Sequence, residues 1–141
     1  MTHVVAFVAA ATLAAIALVH VYWALGGRVA KSAALPEVDG LPAFTPRGPL
    51  TLLVAAALLL AALLVAATGG VVEVALPRSG ARVLTLGLAL VFVARSIGDF
   101  RLVGFFKRVK GSRFATLDSL IYAPLCLLLG LAAGWVALDA P

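Results

Sequence analysis

Eight side chains stand out for chemistry in this 141-residue chain: His20, Trp23, Arg28, Arg95, Asp99, Arg101, Asp118 and Tyr122. Guanidinium forks match carboxylate or phosphate oxygens two bonds at a time, so Arg28, Arg95 and Arg101 form a candidate anion-binding set. His20 with Asp99 or Asp118 can pass protons near neutral pH, Tyr122 can donate to an oxyanion, and Trp23 can stack on a ring or a cation. His20, Asp118 and Tyr122 are therefore the catalytic candidates, and all eight residues are candidates for ligand binding. No metal site is expected, because one intraspan histidine with scattered carboxylates falls short of the protein ligand set that zinc takes. The lone Cys126 excludes an intramolecular disulfide. No nucleotide P-loop, dinucleotide fingerprint, metalloprotease helix or nucleophile elbow is present, and the residues point to no particular cofactor.

The elements that must position these groups follow from composition. The chain is 64% apolar and 12% charged, against roughly 45–50% and about 25% in soluble domains. One core in so short a chain cannot absorb that excess, which excludes a water-soluble monomer and a disordered segment. Four stretches, 4–25, 50–68, 83–106 and 117–138, approach or exceed the roughly 20 helical residues that cross a bilayer core. Helices are required because lipid offers no water to unpaired backbone groups, and the runs lack the alternation of barrel strands. The first two end at Gly26-Gly27 and Gly69-Gly70, the third runs on through Arg95 and Asp99, and Thr116 is the expected cap of the fourth. Met1-Thr2-His3 lacks the basic start of a signal peptide, so the first span reads as a retained helix in a single domain, 1–141.

Charge sets the expected orientation. Arg28, Lys31 and Arg47 lie between spans one and two, and Arg101, Lys107, Arg108, Lys110 and Arg113 flank the connection between spans three and four. The opposite side carries only Arg78 and Arg82. The positive-inside rule then predicts an all-α, antiparallel four-helix bundle in the plasma membrane (the bacterial inner membrane), with both termini outside. The first loop, 26–49, would be long, cytoplasmic and rich in proline, with Pro36, Pro42, Pro46 and Pro49, and would serve as a lid or a tether. The basic excess records topology on this reading, and nucleic acid is not an expected partner.

Depth and direction bring the polar groups together. His20 lies roughly 7–8 Å inside the cytoplasmic end of span one at 1.5 Å per residue. Arg95 and Asp99 fall in the inner half of span three, and Asp118, Tyr122 and Cys126 in the first turns of span four. Arg95 and Asp99, four residues apart, are expected to pair along one face. Asp118, Tyr122, Cys126, Gly130 and Gly134 recur every four residues, polar inward and small outward. Pro124 removes a donor and kinks the helix beside Tyr122. Plainer roles exist for each: an ion pair, interfacial anchors at His20 and Trp23, a snorkelling Arg101, lipid attraction at Lys107 to Arg113, and packing at Cys126 and the glycines.

The run His20-Val21-Tyr22-Trp23-Ala24-Leu25-Gly26-Gly27 resembles the first-helix motif of a bacterial domain-of-unknown-function family of small four-helix membrane proteins. The same holds for Arg95, Gly98-Asp99-Phe100-Arg101, Val103-Gly104-Phe105-Phe106-Lys107, Phe114-Ala115, Asp118 and Tyr122-Ala123-Pro124-Leu125-Cys126. Ala123 stands where the family often has a small hydroxyl residue. The resemblance implies the architecture and carries no activity. The expected function is binding of an anionic lipid headgroup or small acidic ligand in a polar pocket of the cytoplasmic half. The alternatives are acid–base catalysis on a lipid or quinone-like substrate, and service as a small transporter or accessory subunit. Expected partners are membrane lipids, with a second copy or another membrane protein for the last reading.

Overall fold

The computed structural model describes residues 1–139, and its regular elements are helical apart from one small hairpin. Four helices are long and apolar enough to cross a membrane: α1 (Thr2–Ala24), α2 (Gly48–Thr68), α3 (Arg78–Ile97) and α4 (Arg113–Asp139). At the ends of α1 and α2 the Gly27 N–H reaches the Tyr22 carbonyl and the Val71 N–H reaches that of Ala66, which closes each helix on its last free acceptors. Pro49 opens α2, where its missing N–H costs nothing.

Three boundaries differ from the expectation, the first being the start of α3 at Arg78 rather than near 83. The third span stops at Ile97 rather than near 106, because Gly98 and Gly104 fold the chain back against itself. Both have positive φ, +97° and +85°. A Cβ on Gly98 would collide with the Val103 carbonyl, and one on Gly104 with Gly98 itself. The returning loop satisfies the end of α3 by donating from the Phe105 N–H to the Ser96 carbonyl (2.8 Å). The fourth helix starts at Arg113, not near 117, and its cap is Ser112, whose hydroxyl accepts from the Ala115 N–H at 3.0 Å. Pro124 acts locally: residues Asp118–Tyr122 wind as a π-helical turn, with the Ala123 N–H on the Asp118 carbonyl, before regular helix resumes at Ala123.

The helices pack as α1 on α2 and α3 on α4, joined through α1–α4 and α2–α3 contacts. The core is built mostly of small side chains, with Ala6, Ala9 and Leu13 against Ala61, Ala62 and Val65, and Ala89 against Leu129, Ala133 and Val136. Large apolar groups such as Phe7, Leu53, Leu60, Leu90, Leu128 and Trp135 point outward. In lipid there is no hydrophobic gain from hiding them, and close approach of small residues supplies the packing. At one end the Thr2 hydroxyl donates to Asp139, and Arg82 donates to the Ala137 (2.9 Å) and Leu138 (3.2 Å) carbonyls of α4. Thr68 and Thr85 bond at 2.8 Å between α2 and α3. The loops 25–47 and 98–112 occupy the other end. The first of these is folded: a 3₁₀ turn at Ser32–Ala34 precedes strands β1 (Glu37–Val38) and β2 (Leu41–Pro42), paired around Asp39-Gly40.

Gly130 faces α3, where an added Cβ would lie 2.9 Å from Val93 Cγ2 and 3.0 Å from the Ala89 carbonyl, while one at Gly134 would rest 3.8 Å from Ala89. Gly130→Val should cost about 1–3 kcal/mol of unfolding free energy in detergent, and Gly134→Ala close to nothing. Equal effects would contradict this packing.

Candidate functional site

Asp118 is the one carboxylate wholly buried among the described residues, with 0% exposure. It sits on the first residue of the π turn, and three donors converge on it. Arg95 Nη2 of α3 donates to Oδ1 at 2.8 Å. Oδ2 accepts from the Gly104 N–H at 2.6 Å and from Lys107 Nζ at 3.0 Å. Lys107 is itself sequestered, its side chain 2% exposed. Its remaining donors go to the Gly104 carbonyl (2.8 Å) and to Ser119 Oγ (2.7 Å), so the ammonium is fully partnered. The fold-back at Gly98 and Gly104 is what carries a backbone N–H, a backbone carbonyl and Lys107 to the side of α4.

The charges in this cluster do not cancel. One carboxylate faces two cations, and the excess positive charge is left without a counter-charge among the described residues. The imbalance is localised on Arg95. Its side chain is one-third exposed, yet Nη1 is buried without a hydrogen-bond partner among the described residues. A guanidinium nitrogen in that position calls for an acceptor.

The other expected site residues separate from this centre. Asp99 does not share a helix face with Arg95; it lies past the end of α3, exposed, and its Oδ1 accepts the backbone N–H groups of Arg101 (2.9 Å), Leu102 (2.7 Å) and Val103 (3.0 Å). The expected Arg95–Asp99 pair is thus replaced by Arg95–Asp118, because the chain turns at Gly98 before Asp99 can face inward. The N–H bonds, that of Val103 foremost, hold the Asp99 carboxyl below its usual range. His20 Nδ1 lies 2.8 Å from the Ile16 carbonyl, which requires its proton there, and its ring meets Trp23 edge-on at 5.2 Å. Trp23 Nε1 donates to the Val29 carbonyl at 2.8 Å and fastens the first loop. Arg28 and Arg101 are exposed and touch neither Arg95 nor Asp118. The Tyr122 hydroxyl donates to the carbonyl of buried Ala33 at 3.2 Å, which ties that loop to α4.

Sequence reasoning places Gly104 and Lys107 in the family-like block but assigns neither to the site, and it passes over Ser119. The available signal is the buried acid: Asp118 inside a span needs a cation, whereas sequence position alone gives Lys107 a topological and lipid-attracting role. A family model described as "Protein of unknown function (DUF3995)" matches residues 13–133. The chain belongs to this family. The DUF3995 match takes in every member of the Asp118 cluster and leaves the Thr2–Asp139 fastener outside. No curated protein and no solved structure matches the chain.

Two outcomes follow for this DUF3995 protein. Asp118→Ala strands two cations and should lower unfolding free energy by about 3–5 kcal/mol, measured by steric trapping in bicelles; a loss below 1 kcal/mol on that scale would contradict the cluster's burial. Asp99 has a folded-state value below its unfolded value of about 3.9, so its contribution is complete above that pH and fades as pH falls through the folded value. Amide protection at Arg101, Leu102 and Val103 should therefore hold down to about pH 4 and collapse below it. Loss already at pH 5 would contradict the assignment.

Proposed function

We propose that this protein binds an anionic group, the phosphate of a lipid headgroup in the first instance, at Arg95. The observation that carries the reading is the surplus cation of the Asp118 cluster together with the unpartnered Nη1 of Arg95. Guanidinium and phosphate pair through parallel charge-assisted bonds, and a phosphate would supply both the missing acceptor and the missing negative charge. Arg95 lies two residues from the end of α3, roughly 3 Å by helical rise, so its depth suits a headgroup. We read that end as cytoplasmic, with both termini outside and the membrane a plasma membrane, because Arg28, Lys31, Arg47, Arg101, Lys107, Arg108, Lys110 and Arg113 crowd it. The same basic crowd attracts acidic lipid before any specific contact forms. His20 bonds to its own helix and packs on Trp23, with no ion pair to a carboxylate among the described residues, so the geometry favours binding over acid–base chemistry.

The test is lipid retention by native mass spectrometry from nanodiscs containing phosphatidylglycerol. Arg95→Met leaves Asp118 its bonds to Lys107 and Gly104, so the chain should fold while retention falls about tenfold or more, the worth of one charged hydrogen bond. Arg95→Lys should recover part of it. Undiminished phosphatidylglycerol retention by folded Arg95→Met protein would overturn the proposal.

A further inference from the structure

The loop after α3 carries three phenylalanines that take no part in the Asp118 cluster. Phe100, Phe105 and Phe106 are 56%, 42% and 62% exposed. Phe100 and Phe106 touch, with ring centroids 6.3 Å apart. Phe100 holds its place at φ +61°, a backbone conformation that bulky L residues rarely adopt and that persists only where the surroundings impose it. Backbone bonds fix the depth of this patch. The Phe105 N–H donates to the Ser96 carbonyl at 2.8 Å, and the Phe106 N–H to that of Ile97 at 3.4 Å. The chain therefore returns alongside the last two residues of α3. That helix has 20 residues, which at roughly 1.5 Å each match a hydrocarbon core of about 30 Å. Phe105 and Phe106 thus lie level with the edge of the core, beside Ile97, which is itself exposed.

Charge surrounds the aromatic patch. Arg101, Arg108, Lys110 and Arg113 are exposed, and none of them forms an ion pair among the described residues. The Arg101 carbonyl accepts from the N–H groups of Arg108 (3.2 Å) and Val109 (2.9 Å), so the loop doubles on itself, with Arg101 next to Phe100 and Arg108 shortly past Phe106. Apolar rings at the edge of the hydrocarbon, with unpaired cations around them, complement an acidic lipid surface. The rings enter among the upper acyl carbons and the cations meet the phosphates. We infer that the 98–112 loop is a membrane-surface anchor that inserts Phe100 and Phe106 below the phosphates of an acidic leaflet, with Arg101, Arg108 and Lys110 on the headgroups. The same loop delivers the Gly104 N–H and Lys107 to Asp118, so its hold on lipid steadies the buried cluster from outside. No ligand on Arg95 is needed for this contact.

Spin-label depth measurements decide it. Nitroxides are attached through Phe100→Cys, Phe106→Cys and Lys110→Cys, each in a Cys126→Ala chain, in phosphatidylcholine vesicles with and without phosphatidylglycerol. The first two labels should meet dissolved oxygen far more than a water-soluble nickel chelate, at about 5–10 Å below the phosphates, and the third should meet the chelate. Phosphatidylglycerol should carry the label at position 106 deeper, and Arg101→Gln with Arg108→Gln should abolish that response. In the unlabelled wild-type chain, a doxyl group borne on lipid should broaden the ring resonances of Phe100 and Phe106, and a soluble gadolinium chelate should spare them. Three results would each overturn the inference: the first two labels open to the nickel chelate, the same labels shielded from both agents as under a protein partner, or a phosphatidylglycerol response that survives the glutamine changes.

Discussion

A carboxylate without solvent, Asp118, is the constraint around which one end of this molecule is arranged. Removing such a charge from water costs several kcal/mol, and it persists only where geometry returns that cost through close donors. Here a guanidinium from α3, an ammonium and an amide from the following loop all close on it within 3.0 Å. Meeting that requirement explains features that look unrelated. Gly98 and Gly104 take positive φ so that the loop can double back. Asp99 braces the turn by accepting N–H groups from Arg101, Leu102 and Val103. The π turn at Asp118–Tyr122 begins at the acid itself, one residue before Ser119, which completes the partners of Lys107.

The two ends of the bundle solve different problems. At the end that gathers Thr2, Arg82 and Asp139, polar groups close off helix termini: Arg82 meets the last carbonyls of α4, where a cation also suits the helix dipole. Between the ends the helices meet through alanine and glycine, and their bulky side chains are left for lipid. The loop end is where charge is in excess. It pairs a buried cluster carrying one uncompensated cation with a folded loop whose own charges stay apart. The proposed anion site at Arg95 draws on that surplus.

Much of the architecture was legible in residues alone, since long apolar runs closed by Gly-Gly pairs leave little choice in lipid. That Arg95, Asp118 and Tyr122 must find polar partners was legible too, because each stands inside a span. What composition hides is who pairs with whom. Helical spacing favours Arg95 with Asp99, and only the turn at Gly98 diverts Asp99 to the backbone and frees Arg95 for an acid 23 residues away. Lys107 lies among surface-type charges, so nothing local marks it as buried. The Asp39-Gly40 pair, by contrast, is a strong hairpin signal, and the surrounding prolines concealed it within what read as an open tether or lid.

The buried cluster itself is tested most directly by a double-mutant cycle between Asp118 and Lys107, with alanine and methionine as replacements, read as unfolding free energy in bicelles. If the two groups sustain each other out of water, the double variant is less destabilised than the single changes added together, by about 1–3 kcal/mol of coupling. Additive losses, with coupling near zero, would mean that each group finds solvent by itself and that no sequestered charge organises this end of the protein.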